Sequence, residues 1–139
     1  MHAPLAFVTE NVIDLDALRS YVAGEQNGAI AEFLGIVRNH DHGKVVVSLE
    51  YQVHPDAAAS MHRIVDDIAS ANPEVAIAAA HRYGRLAIGD VAFAVAVSSA
   101  HRGPAFEVLR NVVETVKAEL PIWKRQEFAD GSHEWVNFA

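Results

Sequence analysis

The chain has no cysteine among its 139 residues. It therefore cannot carry a persulfide, close a disulfide or build a thiolate metal site. Any sulfur it handles must arrive on another molecule. It also lacks an apolar run near the ~20 residues that a membrane-spanning helix needs. Its first residues, MHAPLAFVTENVIDL, show no basic stretch followed by an apolar one, so no secretory signal is expected and the cytoplasm is the expected location. Positive charge is scarce too. Eleven Lys and Arg against eighteen Asp and Glu leave a formal net charge of −7, which opposes general nucleic-acid binding.

What is present is ordinary for a globular protein: 51% hydrophobic and 21% charged residues. The length suits a single domain over residues 1–139, large enough to bury roughly two-thirds of its unfolded surface. No repeat, low-complexity tract or linker interrupts it.

Local patterns predict the elements. LAFV at 5–8 is a short strand. Asp14 caps a short helix reaching about Ala23, with Leu15, Leu18 and Val22 on its apolar side. GAIAEFLGIV at 28–37 and VVVSLEYQV at 45–53 are strands, and the polar loop 38–44 between them suggests a hairpin. A helix follows over 55–71, with Met61, Ile64, Val65 and Ile68 at helical spacing, and Asn72-Pro73 ends it. VAIAAAHRYG at 75–84 and VAFAVAVSSA from Val91 are strands. The second long helix runs from about Pro104 to Leu120 on the stripe Leu109, Val112, Val113, Val116 and Leu120, and Pro121 stops it. IWKRQEF and HEWVNF are short strands about the Asp130-Gly131 turn. The sum is an α+β fold, mainly antiparallel, with two long helices and a short one.

Three segments offer chemistry. In the first, a buried strand ends on Arg38. In the second, Ser98 to Gly103, a strand hands over to the N-terminus of the long helix, where free N–H groups and the helix dipole favour an anion beside His101 and Arg102. Arg102 could bind a phosphate through two parallel bonds, or simply pair with Glu107. The third holds Lys117 and Lys124 on either side of the Pro121 break. Converging ammonium groups repel, and at least one becomes a better acid–base group near neutral pH. Alternatively, Lys117 is a helix-end cation paired with Glu114. His40 and His42, with Asp41, lie close enough in the chain to bind one ion, but ligand spacing is otherwise absent and no metal is expected.

Taken in order, GAIAEFLGIVRNH, LEYQVHPDAA, HRYGRLAIGD, VSSAHRGPAFE, VKAELPIWKRQEF and DGSHEWV resemble the large, catalytic subunit of molybdopterin synthase across about residues 28–136. The specific element is the spacing: AHR, then Lys117 fifteen residues past Arg102, then PIWK with Lys124 seven further on. The resemblance implies an α/β-hammerhead-like fold. It also implies a sulfurtransferase that moves sulfur from the C-terminal Gly-Gly thiocarboxylate of a small ubiquitin-like subunit to cyclic pyranopterin monophosphate, making the dithiolene of molybdopterin. It carries the functional lysines onto Lys117 and Lys124, the substrate-anchoring arginine onto Arg38, and the histidine–arginine pair onto His101 and Arg102. Phe33, Ile36, Val37, Arg125 and Gln126 follow as substrate contacts. No cofactor is implied, and the assembly is a homodimer within a heterotetramer. The chain departs from the family at Gln126, where a glutamate is common, and at Ile36, where a lysine sometimes stands; the first 25 residues and the tail after Trp135 match poorly.

Arg102 and Lys117 lie about 22 Å apart along one helix at 1.5 Å per residue. If both serve one small-molecule site, two copies of the chain must share it. The rival readings are a binder of a phosphorylated small molecule without catalysis, and a metal-binding oligomer built on His40 and His42.

Overall fold

The computed structural model describes residues 3–137. Phe138, the last residue of the expected HEWVNF strand, lies outside them. In chain order the elements are β1 (Leu5–Thr9), α1 (Leu15–Val22), β2 (Ala29–Ile36), β3 (His40–Asp41), β4 (Lys44–Val53), α2 (Ala57–Ala71), β5 (Ala76–Arg82), β6 (Gly84–Leu86), β7 (Val91–Ser99), α3 (Arg102–Glu119), β8 (Ile122–Phe128) and β9 (His133–Asn137). The fold is α+β.

Two sheets divide the strands. The first is four-stranded in the order β1-β5-β7-β2, antiparallel except where β1 pairs parallel with β5. The second is five-stranded, β3-β4-β8-β9, with β6 also pairing β4. The hairpin expected between β2 and β4 does not form. β2 takes β7 as its partner, from Ala29 opposite Ser99 to Ile36 opposite Val91, and β4 takes β8. The segment after β2 instead carries the chain from one sheet to the other. Inside it, β3 folds back on β4 through His42 and Gly43, whose φ angles of 51° and 75° match a two-residue hairpin turn.

The first sheet is covered on both faces, which explains why β5 and β7 are apolar at nearly every position instead of alternating. Ile77, Ala79, Phe93, Val95 and Val97 meet Met61, Ile64 and Val65 of α2 and Val108, Val112 and Val116 of α3. Each of these large side chains, fully buried, contributes roughly 1.5–3 kcal/mol. The opposite face presents Ala78, Ala80, Ala94 and Ala96 to Leu18 and Val22 of α1. Alanines there leave room for a helix to lie close. Asp14 caps α1 by accepting a hydrogen bond from the Ala17 N–H at 3.1 Å.

Two local features position the cleft described next. α3 stops at Leu120, whose N–H bonds the Val116 carbonyl, and Pro121 sends the chain directly into β8. The β2–β7 register shifts at Gly35 and Ile36, and Val37 then exchanges bonds with the 87–90 turn: its N–H to the Asp90 carbonyl at 2.9 Å, its carbonyl to the Gly89 N–H at 2.8 Å. That shift aims the end of β2 at β8.

Candidate active site

The end of β2, the inner parts of β4, β5 and β7, the last turn of α3 and the middle of β8 enclose a cleft of about 360 Å³. Arg38, Lys117, Lys124 and Gln126 line it together with Gly35, Ile36, Val37, Tyr51, His81 and Phe93. Arg38 enters from just beyond β2. Lys117 is the basic residue of the last turn of α3. Lys124 faces in from β8, where it is paired with Tyr51 of β4 on one side and Val136 of β9 on the other.

Both lysines titrate below the ordinary ammonium range. For Lys117, burial is the leading cause, the charge on Lys124 adds to it, and Glu114 opposes it. The residue is solvent-accessible, so it stands at the mouth of the cleft while the cleft walls desolvate its ammonium. Its Nζ lies 6.0 Å from the centre of the Phe33 ring. For Lys124, burial again leads; Asp41 opposes it, Arg38 reinforces it, and Glu134 opposes it. An overall acidic protein has thus gathered three cations around one small space.

The rest of the wall is neutral. Burial pushes the Tyr51 hydroxyl up to about 12 and the His81 imidazole down to about 4. His81 Nδ1 lies 2.8 Å from the Arg82 carbonyl, which makes it the protonated nitrogen of the neutral ring. The ring stacks on Phe93 at 5.3 Å between centroids and meets Tyr51 edge-on at 5.0 Å.

Of the other expected site residues, Ile36 and Val37 belong to the cleft lining and the rest lie outside it. His101 and Arg102 are exposed at the N-terminal end of α3, one 18-residue helix whose last turn holds Lys117, so a single chain does not bring them to the cleft. Arg102 makes no ion pair among the described residues, and Glu107 is not its partner. Arg125 alternates with Lys124 and Gln126 and so faces the other side of β8, where its guanidinium bonds Glu127 at 2.5 Å. Phe33 packs edge-on against Phe93 at 5.7 Å behind Lys117. Ile36 is exposed at the rim and Val37 is buried below it. His40 and His42 do not converge. His40 turns to Asn39, while His42 Nε2 lies 3.7 Å from Asp41 and 3.9 Å from Glu134. Asp41, His42 and Glu134 are close enough to surround an ion, but Asp41 is already engaged by Arg38 and Gln126.

Residue-by-residue reading of the sequence missed Tyr51 and His81. Each is buried within a strand as an ordinary core residue would be, and only the meeting of two sheets turns them toward the lysines.

The family model described as MoaE protein matches residues 8–119. The chain belongs to the MoaE family. A molybdopterin synthase catalytic subunit from Nostoc is 39% identical over 132 residues, covering 94% of this chain and 80% of that one. The crystal structure of molybdopterin synthase from Staphylococcus aureus superposes with a TM-score of 0.89 at 31% identity, covering 98% of this chain and 99% of that one. A Helicobacter pylori structure, a complex of subunits 1 and 2 of molybdopterin-converting factor, shares the fold with a TM-score of 0.73 at 21% identity over 94% of this chain and 88% of that one. As a MoaE protein this chain is an enzyme of molybdenum cofactor biosynthesis, acting at the sulfurtransferase step of molybdopterin synthase. Among the described residues no helix is long and apolar enough to cross a membrane.

Proposed function

We propose that this chain, acting as one domain over residues 1–139 in the cytoplasm, takes sulfur from the C-terminal Gly-Gly thiocarboxylate of a small ubiquitin-like carrier. It delivers that sulfur to cyclic pyranopterin monophosphate, and two deliveries complete the dithiolene. The observation that carries the reading is the convergence of Lys117, Lys124 and Arg38 on one small cleft in a chain with no cysteine. Such a chain cannot hold the sulfur itself. It can hold the anions on either side of the transfer.

The roles follow from charge and position. Lys117, at the mouth and partly desolvated, meets the carrier's thiocarboxylate and stabilises charge on the acyl intermediate formed when sulfur attacks the pterin. Lys124, deeper and between opposing charges, is the second cation and the proton donor. Arg38 anchors the substrate at the rim beside Ile36 and Val37, with Phe33 behind Lys117 and Gln126 on the floor. Arg125, on the opposite face of β8, acts outside the cleft. The substrate phosphate is held by His101 and Arg102 from a second copy of the chain, so the working form is a homodimer with one carrier per cleft.

The test is product formation from cyclic pyranopterin monophosphate, read by fluorescence of the oxidised pterin. A carrier ending in thiocarboxylate should give molybdopterin, and the same carrier ending in an ordinary carboxylate should give none. Absence of product with the thiocarboxylated carrier bound would overturn the reading in favour of a phosphate-ligand binder.

A further inference from the structure

Behind the cleft lining stands a carboxylate whose two oxygens are committed to different lining residues. Asp41 Oδ1 accepts from Arg38 Nη2 at 3.2 Å, and Oδ2 accepts from Gln126 Nε2 at 2.7 Å. Its side chain is only 13% exposed, and Gln126 is buried at 3%. The β3–β4 turn fixes the position of Asp41, because Asp41 pairs with Lys44 across it. Gln126 in turn shares its face of β8 with Lys124, two residues away.

We propose that Asp41 is a positioning residue of the sulfur-transfer site: its carboxylate orients the Arg38 guanidinium and the Gln126 amide and supplies the counter-charge that Lys124 faces. The proposal rests on the sulfur-transfer reading above. It assigns a role to a side chain outside the set expected for the reaction. It also accounts for an amide at position 126, since the negative charge behind the lining comes from β3 and the amide is needed to donate to it. A carboxylate at 126 would sit against Asp41 without a proton to share.

Electrostatics agree with the geometry. The Gln126 hydrogen bond is the leading reason that Asp41 titrates below the usual carboxylate range, with His42, Lys124 and Arg38 adding to it against the cost of burial. Lys124 is faced by Asp41 and Arg38 from the β2–β4 side, by Glu134 from β9 and by Lys117 from α3. Asp41 leads the groups that keep its ammonium charged.

The experiment compares the wild-type chain with Asp41→Asn and with the exchange Asp41→Asn/Gln126→Glu. Asparagine keeps the size of the side chain, removes the charge and puts a donating amide in place of one of the two acceptor oxygens, so the contact to Arg38 or to Gln126 goes with the charge. The exchange returns the charge from the opposite partner. Turnover with thiocarboxylated carrier is measured beside the Lys124 titration, followed by NMR of labelled lysine side chains and assigned with Lys124→Arg. Asp41→Asn should lower kcat by about ten- to a hundred-fold, the range typical when the support of a contact residue is lost, and should move the Lys124 midpoint down. The exchange should recover most of both. Unchanged turnover and midpoint in Asp41→Asn, or no recovery in the exchange, would overturn the proposal. If the wild-type chain itself makes no product, the sulfur-transfer reading fails, and the Lys124 midpoint alone decides whether Asp41 supports it.

Discussion

Lys117 and Lys124 reach one cleft from two different elements, the last turn of α3 and the middle of β8, because Pro121 turns the chain back between them. Seven residues of continuous helix would have set them on unrelated levels, about 10 Å apart along one axis. The helix stop therefore creates the charge cluster. Leu120, fully buried and bonded to Val116, fixes where the stop occurs.

Arg102 and Lys117 stand at opposite ends of the same helix, so the proposed sharing of one site by two copies has a simple consequence. Chains carrying Arg102→Ala and chains carrying Lys117→Ala should each be nearly inactive alone. Mixed in equal amounts and allowed to exchange subunits, they should recover up to about a quarter of the wild-type activity, since about half the dimers become mixed and each mixed dimer has both residues in one of its two clefts. Activity of the mixture that stays at the level of the separate variants would mean that the two residues serve different sites.

His81 makes stability depend on pH. Its imidazole titrates near 4 in the fold against an ordinary 6.5. Between those values the unfolded chain binds the proton that the folded chain refuses. The contribution is therefore full above about pH 6.5 and is lost as the pH falls toward 4, at a total of about 3 kcal/mol. Denaturant unfolding followed from pH 7 to pH 4 should show this loss. His81→Gln should flatten the slope in that window, and an unchanged slope would contradict the neutral buried ring.

The alanine face under α1 predicts a steric limit. Ala96 is 2% exposed and belongs to the cluster that includes Leu18 and Val22. Ala96→Leu should lower the unfolding free energy by about 1–3 kcal/mol through overpacking, and a smaller change by chemical denaturation would mean that α1 moves away at little cost.

Much of this was legible in the residues. The apolar stripes placed α2 and α3, Asp14 placed the start of α1, and Pro121 placed the end of α3. Helix rise alone separated Arg102 from Lys117. The strand pairing was not legible. The 38–44 loop is short enough for a hairpin, but β2 finds in β7 an antiparallel partner of matching length and apolar character, while β4 is drawn to β8 in the second sheet. The strands β3 and β6, of two and three residues, are too short for periodicity to register. In the site, the period of two in IWKRQEF already separates Arg125 from Lys124 and Gln126. Tyr51 and His81 join the cleft only through long-range packing, and nothing local marks them; Asp41 stands three residues from Arg38, but its bond to Gln126 spans most of the chain.

If the Lys117 ammonium takes part in sulfur delivery as proposed, its removal must show in the molybdopterin formed in a single turnover by the wild-type chain and by Lys117→Ala, each with saturating thiocarboxylated carrier. Removal of a preorganised charge should slow product formation by about 10²–10³-fold while the carrier still binds. Near-wild-type turnover by Lys117→Ala would contradict the account.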